Sequence, residues 1–137
     1  MVVKGNRRGQ MKYETDPRFE AYYLEDSYVL GLEENEPSRL AFSLLLALTP
    51  KHPLYVRPSP AEQHCYRSGV LAFEGVTSIV WTERHFKPTS DKDGTIDYGN
   101  IDAFEINPEG YYVVNGEWGR VTLKAKRASI TLSSKNQ

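Results

Sequence analysis

Apolar residues recur at every second position over much of this chain, the spacing of a strand with one face on a core and the other in water. Val121, Leu123 and Ala125 alternate with Thr122, Lys124 and Lys126, and Ile130 and Leu132 repeat the pattern in a last strand. In 39–48 the even positions Leu40, Phe42, Leu44, Leu46 and Leu48 share one face. Ala41, Ser43, Leu45 and Ala47 leave the other face half apolar, which predicts a central strand or one that helps to form an interface. Leu and Ala also favour helix. The run is short and ends at Thr49-Pro50, and a residue before proline avoids the helical region, so strand is preferred.

Residues 22–32, rich in Tyr, Val and Leu, read as the first strand, followed by a turn over 33–38. Asp16-Pro17 predicts the start of one helical turn, with Asp as cap and Pro in first position. Residues 49–63 hold Pro50, Pro53, Pro58 and Pro60 and read as an extended loop, because proline lacks the donor that a ladder needs. A strand over 65–74 is expected to pair with one over 76–83, and a further strand covers 100–106. Asn107-Pro108-Glu109-Gly110 marks a turn. Asn115-Gly116, between Tyr111-Tyr112-Val113-Val114 and the strand after it, predicts a two-residue hairpin turn, since both residues tolerate positive φ. The expected fold is mainly β with little helix: one domain of seven to eight strands, an antiparallel sandwich or a strongly curved sheet. It spans 13–133, between a disordered basic tail at 1–12 and a short tail at 134–137.

A chain of 137 residues with 39% hydrophobic and 26% charged side chains fits one globular domain. The net charge of −1 conceals an asymmetry. Four of the 17 basic residues, Lys4, Arg7, Arg8 and Lys12, fall in the first twelve positions, where there is no acid. The remainder holds 13 basic against 18 acidic residues, a net of −5. An acidic body argues against a nucleic-acid groove, which needs clustered positive charge. With Cys65 as the single cysteine, no internal disulfide forms. The longest apolar-rich run, 40–48, is too short to span a bilayer. A cytoplasmic protein, monomer or homodimer, binding neither membrane nor nucleic acid is expected.

Chemistry is concentrated in 90–102, which places Asp91, Asp93, Asp97, Asp102, Gly94, Gly99 and Asn100 between two strands. With Gly94 at position 6 of a calcium loop, Asp91 and Asp93 fall at 3 and 5, Ile96 at 8 and Asp97 at 9. Positions 1 and 12 are then Thr89 and Asn100, so the first anchor and the bidentate acid are missing. The alternatives are a calcium site built from Asp91, Asp93, Asp97 and Asn100, or a polar turn at Asp93-Gly94. His52, His64 and His85 lack paired zinc-ligand spacing, but would serve a small-ligand site or enzyme if they converged near the proline-rich loop. Cys65 lies inside a strand and reads as a small hydrophobe rather than a nucleophile. Ser27 lacks the glycines of a nucleophile elbow and reads as an exposed polar position. Tyr55 and Tyr98 sit in loops, where packing explains them less well. With Asp91, Asp93 and Asp97 they form the expected binding patch.

Three segments carry a resemblance: Leu24-Glu25-Asp26-Ser27-Tyr28-Val29-Leu30-Gly31-Leu32, Gly69-Val70-Leu71-Ala72-Phe73-Glu74-Gly75-Val76 and Gly116-Glu117-Trp118-Gly119-Arg120-Val121. In this order they resemble small uncharacterised bacterial β-rich proteins, including immunity proteins of polymorphic toxin systems. Many of those have His before the Asp-Ser pair; here Glu25 stands there. The resemblance implies a binding protein without catalysis; a protein partner and no cofactor are expected.

Overall fold

The computed structural model describes residues 11–34, 38–86, 89–90 and 96–133. Among these residues eleven strands run in chain order: β1 (Met11–Lys12), β2 (Tyr22–Glu33), β3 (Arg39–Leu48), β4 (Cys65–Glu74), β5 (Ser78–Thr82), β6 (Thr89–Ser90), β7 (Ile96–Asp97), β8 (Ala103–Ile106), β9 (Tyr111–Gly116), β10 (Gly119–Lys124) and β11 (Arg127–Leu132). Eight of them exceed two residues. With β1 they form two antiparallel sheets, ordered β1-β8-β9-β10-β5 and β11-β4-β3-β2, and β6 and β7 make a small separate ribbon. This is the mainly β sandwich that the alternation predicts.

The core lies between the sheets. The even positions of β3 are all buried, and β3 is central, with β4 and β2 on either side. Val121 and Leu123 face them from β10, and Ala125 just beyond it is buried too. Aromatic rings interleave across the gap: Phe73 of β4 meets Tyr112 of β9 at 5.2 Å and Phe104 of β8 at 6.1 Å, and Phe42 of β3 meets Trp118 at 5.1 Å. Such tilted and edge contacts add to the area that they bury.

Asp16 starts one helical turn, as expected. Its carbonyl accepts from Glu20 N–H at 3.0 Å, and its side chain accepts from Arg18 N–H at 2.9 Å. Arg18 returns a bidentate pair to Asp16 and reaches Tyr112 Oη at 3.3 Å and the Ala128 carbonyl at 3.5 Å. The turn is thereby tied to both sheets. The only 3-10 turn among the described residues, Tyr13–Thr15, precedes it.

Several expectations are corrected. Met11 and Lys12, assigned to the tail, form β1 and pair with Ile106 and Glu105; residues 1–10 and 134–137 lie outside the described residues. β5 does not pair with β4. At Gly75, with φ +68°, the chain leaves one sheet for the other, and β5 pairs with β10. The strand expected over 100–106 begins at Ala103, and Asn100 instead makes a lone bridge to Tyr28. The hairpin forms, but Gly116 pairs with Gly119, so Glu117-Trp118 is its turn and Asn115 stays in the ladder opposite Arg120. Burial of Trp118 outweighs the Asn-Gly preference: the ring is fully buried and its Nε1 donates to the Asn100 carbonyl at 3.0 Å.

Candidate functional site

The feature that organises the surface is a bulge in β2. Tyr23 pairs with Ala47 and Tyr28 with Leu45, so five steps along β2 span two along β3 and three extra residues must leave the ladder. Bulges of this kind re-aim side chains. Ser27 repairs the interruption. It is fully buried, its Oγ donates to the Tyr23 carbonyl at 2.8 Å and accepts from Ala47 N–H at 2.9 Å, replacing the ladder bond that β2 no longer supplies. The expected exposed serine is therefore structural. Asn100 Nδ2 donates to the Ser27 carbonyl at 2.7 Å. Tyr13 Oη accepts from Leu24 N–H at 2.9 Å and donates to Glu25. Burial, then the bond to Glu25, pushes the Tyr13 phenol well above its usual range.

Held from three sides, the bulge directs Glu25 and Asp26 to different neighbours. Asp26 Oδ2 lies 3.1 Å from His64 Nε2. His64 sits against Tyr23 at 5.3 Å and Tyr66 at 5.8 Å, and Tyr66 against Tyr28 at 6.1 Å. Burial first, then Tyr28, Asp26 and Glu62, push the Tyr66 phenol up to about 12. Register explains the grouping: Tyr66 is opposite Ala47, which is opposite Tyr23, so both rings stand on the outer face of this sheet. Small Ala47 between them lets the rings approach the bulge. On its other flank Glu25 lines a cleft of about 130 Å³ with Glu14, Asp102 and Glu105.

Three residues of the expected patch, Tyr55, Asp97 and Tyr98, are among the described residues. Asp91 and Asp93 lie outside them. Asp97 Oδ1 accepts from Gly99 N–H at 2.8 Å, and Asn100, as above, clamps the bulge and Trp118. Tyr98 stacks edge-on against Phe86 at 5.2 Å and its N–H bonds to the Val29 carbonyl at 2.8 Å. Tyr55 packs against the core from the proline-rich loop. Among the described residues no three His, Cys, Asp or Glu side chains are grouped to hold a metal ion.

The histidines separate. His52 packs on Tyr22 at 5.3 Å, and its Nδ1 accepts from Leu54 N–H at 3.0 Å; burial, then Arg67, lower its pKa. His64 belongs to the bulge, and His85 hangs from the Trp118 carbonyl by its backbone N–H. Cys65 is partly buried against the core. A second, wider cleft of about 530 Å³ runs past Gly31, Leu32, Arg84, Phe86 and Tyr98. Its guanidinium is matched by Glu34, at 2.7 and 3.1 Å, and lies 4.4 Å over the Trp81 ring. Sequence reasoning missed Tyr23, Asp26, His64 and Tyr66 as a group, because β2 and β4 meet only across β3.

The chain matches no protein-family model, no curated protein and no solved structure. The segment 24–32 carries the bulge. Among the described residues no helix is long and apolar enough to cross a membrane.

Proposed function

We propose that this protein is a non-catalytic binding module of the immunity type, which holds a basic segment of a partner protein against the tyrosines and acids around the β2 bulge. The observation that carries this is the cluster at the outer face of one sheet in which Tyr23 and Tyr66 pack on His64, Tyr28 packs on Tyr66, and His64 pairs with Asp26. Tyrosine is a preferred interface anchor, since it brings large area with few rotatable bonds and a polar tip. The acids at Glu14, Glu25, Asp102 and Glu105 outnumber Lys12 in the cleft that they share and leave a negative field beside the patch, which suits the encounter with a cationic surface. The net −5 of residues 13–137 acts in the same sense.

Affinity capture from cells of the source organism, quantified by mass spectrometry, tests the proposal. A net-basic protein is expected whose recovery falls by about tenfold with Asp26→Lys or Tyr66→Ala, since each removes a central contact. Glu109→Lys, on the turn before β9, should leave recovery unchanged. No reproducible partner, or recovery indifferent to both patch variants, would overturn the proposal.

A further inference from the structure

β5 is an edge strand whose only neighbouring strand among the described residues is β10. Its sequence, Ser78-Ile79-Val80-Trp81-Thr82, has no charge, proline or glycine. Strand edges are ordinarily guarded by such residues or covered, because their free N–H and C=O groups are templates for another strand. The other edges here follow that rule. β1 has two residues, one of them Lys12, and β11 begins with Arg127. β2 is covered at Val29, whose N–H bonds to the Gly99 carbonyl at 2.8 Å and whose carbonyl accepts from Tyr98. Among the described residues β5 stands out as the unguarded edge, with Val80 57% and Ile79 39% exposed.

The direction in which its backbone groups point follows from the sheet. Asn107 N–H bonds to the Tyr111 carbonyl and continues the β8–β9 register, so Tyr111, Val113 and Asn115 direct their N–H and C=O groups to β8. Alternation then assigns Tyr112, Val114 and Gly116 to β10. Carried through the pairs Val114↔Val121 and Thr122↔Val80, it assigns Ser78, Val80 and Thr82 to β10. Ile79 and Trp81 are left with N–H and C=O groups facing outward.

We propose that β5 pairs antiparallel with β5 of a second copy of this chain, about a two-fold axis at Val80. In this register Ile79 lies opposite Trp81 of the copy, and both carry the outward groups, so two reciprocal pairs of backbone hydrogen bonds form. Val80 meets Val80 on the outer face, Ser78 meets Thr82, and Ile79 meets Trp81 on the core side. Each is a favourable cross-strand pair: β-branched with β-branched, hydroxyl with hydroxyl, aromatic with β-branched. This self-complementarity is what selects a second copy over an unrelated strand. The row Val113, Thr122, Val80 on the outer face then runs unbroken into its mate. A five-residue ladder is small, below the roughly 1,200 Å² of a standard interface, so the dimer is concentration-dependent.

Analytical ultracentrifugation of the full chain, from about 1 to 500 μM, is the first test, since that range brackets weak association. The mass is expected to climb from 15.6 kDa toward twice that value. Val80→Lys puts like charges opposite each other at the axis and should raise the dissociation constant by about tenfold or more. Val80 is mostly exposed, and a thermal melt checks that this variant folds. A second measurement does not depend on it. In a Cys65→Ala background, Val80→Cys should cross-link to its mate under mild oxidation, because opposed residues without ladder bonds have Cα atoms about 4.5 Å apart, within disulfide range. Ser78→Cys alone should not, since its own mate lies four residues out of register. A mass fixed at one chain, a dimer indifferent to Val80→Lys, or cross-linking as fast at Ser78→Cys as at Val80→Cys would each overturn the proposal.

Discussion

Replacing Ser27 with alanine removes one oxygen from a place with no access to water. The hydroxyl satisfies a carbonyl of β2 and an N–H of central strand β3, and both Ser27 and Ala47 are fully buried. Alanine preserves backbone and packing but strands both groups. An unpaired buried donor costs about 1–3 kcal/mol, and the lost bond to the carbonyl adds about 0.5–1 kcal/mol. The expected destabilisation is therefore about 2–3 kcal/mol. For a domain of this size each kcal/mol moves Tm by about 3–4 °C, which predicts a fall of about 8 °C. Calorimetry and urea unfolding should agree, the urea midpoint falling with an unchanged slope. The ring resonances of His64 should shift in the same variant, because Asp26 loses its rigid support. A fall below about 2 °C would show that the bulge does not depend on this hydroxyl, and would refute the account of β2 given above.

Four further predictions follow from named contacts. Gly116→Ala should destabilise by about 3 kcal/mol or more, because its Cβ would lie 2.4 Å from Trp118 Nε1 and 2.5 Å from the Asn100 carbonyl oxygen; a thermal melt within 2–3 °C of wild type would contradict this. Trp118→Phe should cost about 2 kcal/mol more than Trp81→Phe in urea unfolding. Trp118 loses a made hydrogen bond and leaves a cavity, whereas Trp81 Nε1 is buried with no partner to lose among the described residues. Tyr66, with its phenol at about 12, is neutral in the fold at pH values where an unfolded tyrosine ionises near 10. Its contribution to stability is present below pH 10 and is lost as pH rises toward 12, so Tyr66→Phe should unfold less readily at high pH and lose one late step in the 295 nm titration. The Asp16 carboxyl is held low, chiefly by its hydrogen bonds to the Arg18 side chain. Its contribution is present above about pH 4 and lost as pH falls through the lowered value, so Asp16→Asn should flatten the decline of Tm in acid.

What the sequence revealed was one-dimensional. Arg39–Leu48 and Cys65–Glu74 matched the expected limits because period-two burial reports directly which face a residue occupies. It does not report which strand lies alongside. β5 reads equally well as the partner of β4 or of β10, and the choice is made at Gly75, where the backbone turns away. The hairpin turn moved by two residues because a local preference at Asn115-Gly116 met a large ring that could be buried only from the turn itself. The bulge was hidden for a different reason. Glu25-Asp26-Ser27 is a polar run, and polar runs suggest exposure, whereas one hydroxyl here substitutes for a strand bond. The site was illegible because Asp26 and His64 are separated by 38 positions and by a strand between them.

The crossover at Gly75 has a consequence for synthesis of the chain. Strands β2, β3 and β4 are complete once residue 74 is made, and they can pair in order as they emerge. Most of the sheet that covers their apolar inner face, β8, β9 and β10, arrives only some thirty to fifty residues later. The outermost pairings come later or reach further still: Arg127 must find Glu74, and Met11 must find Ile106 at a separation of 95 positions. Such long loops place the domain among slow folders, in the millisecond-to-second range. A ribosome carrying this chain therefore holds an open, greasy half-sandwich until β10 has been made, and the fold closes in one late step rather than growing from its N-terminus.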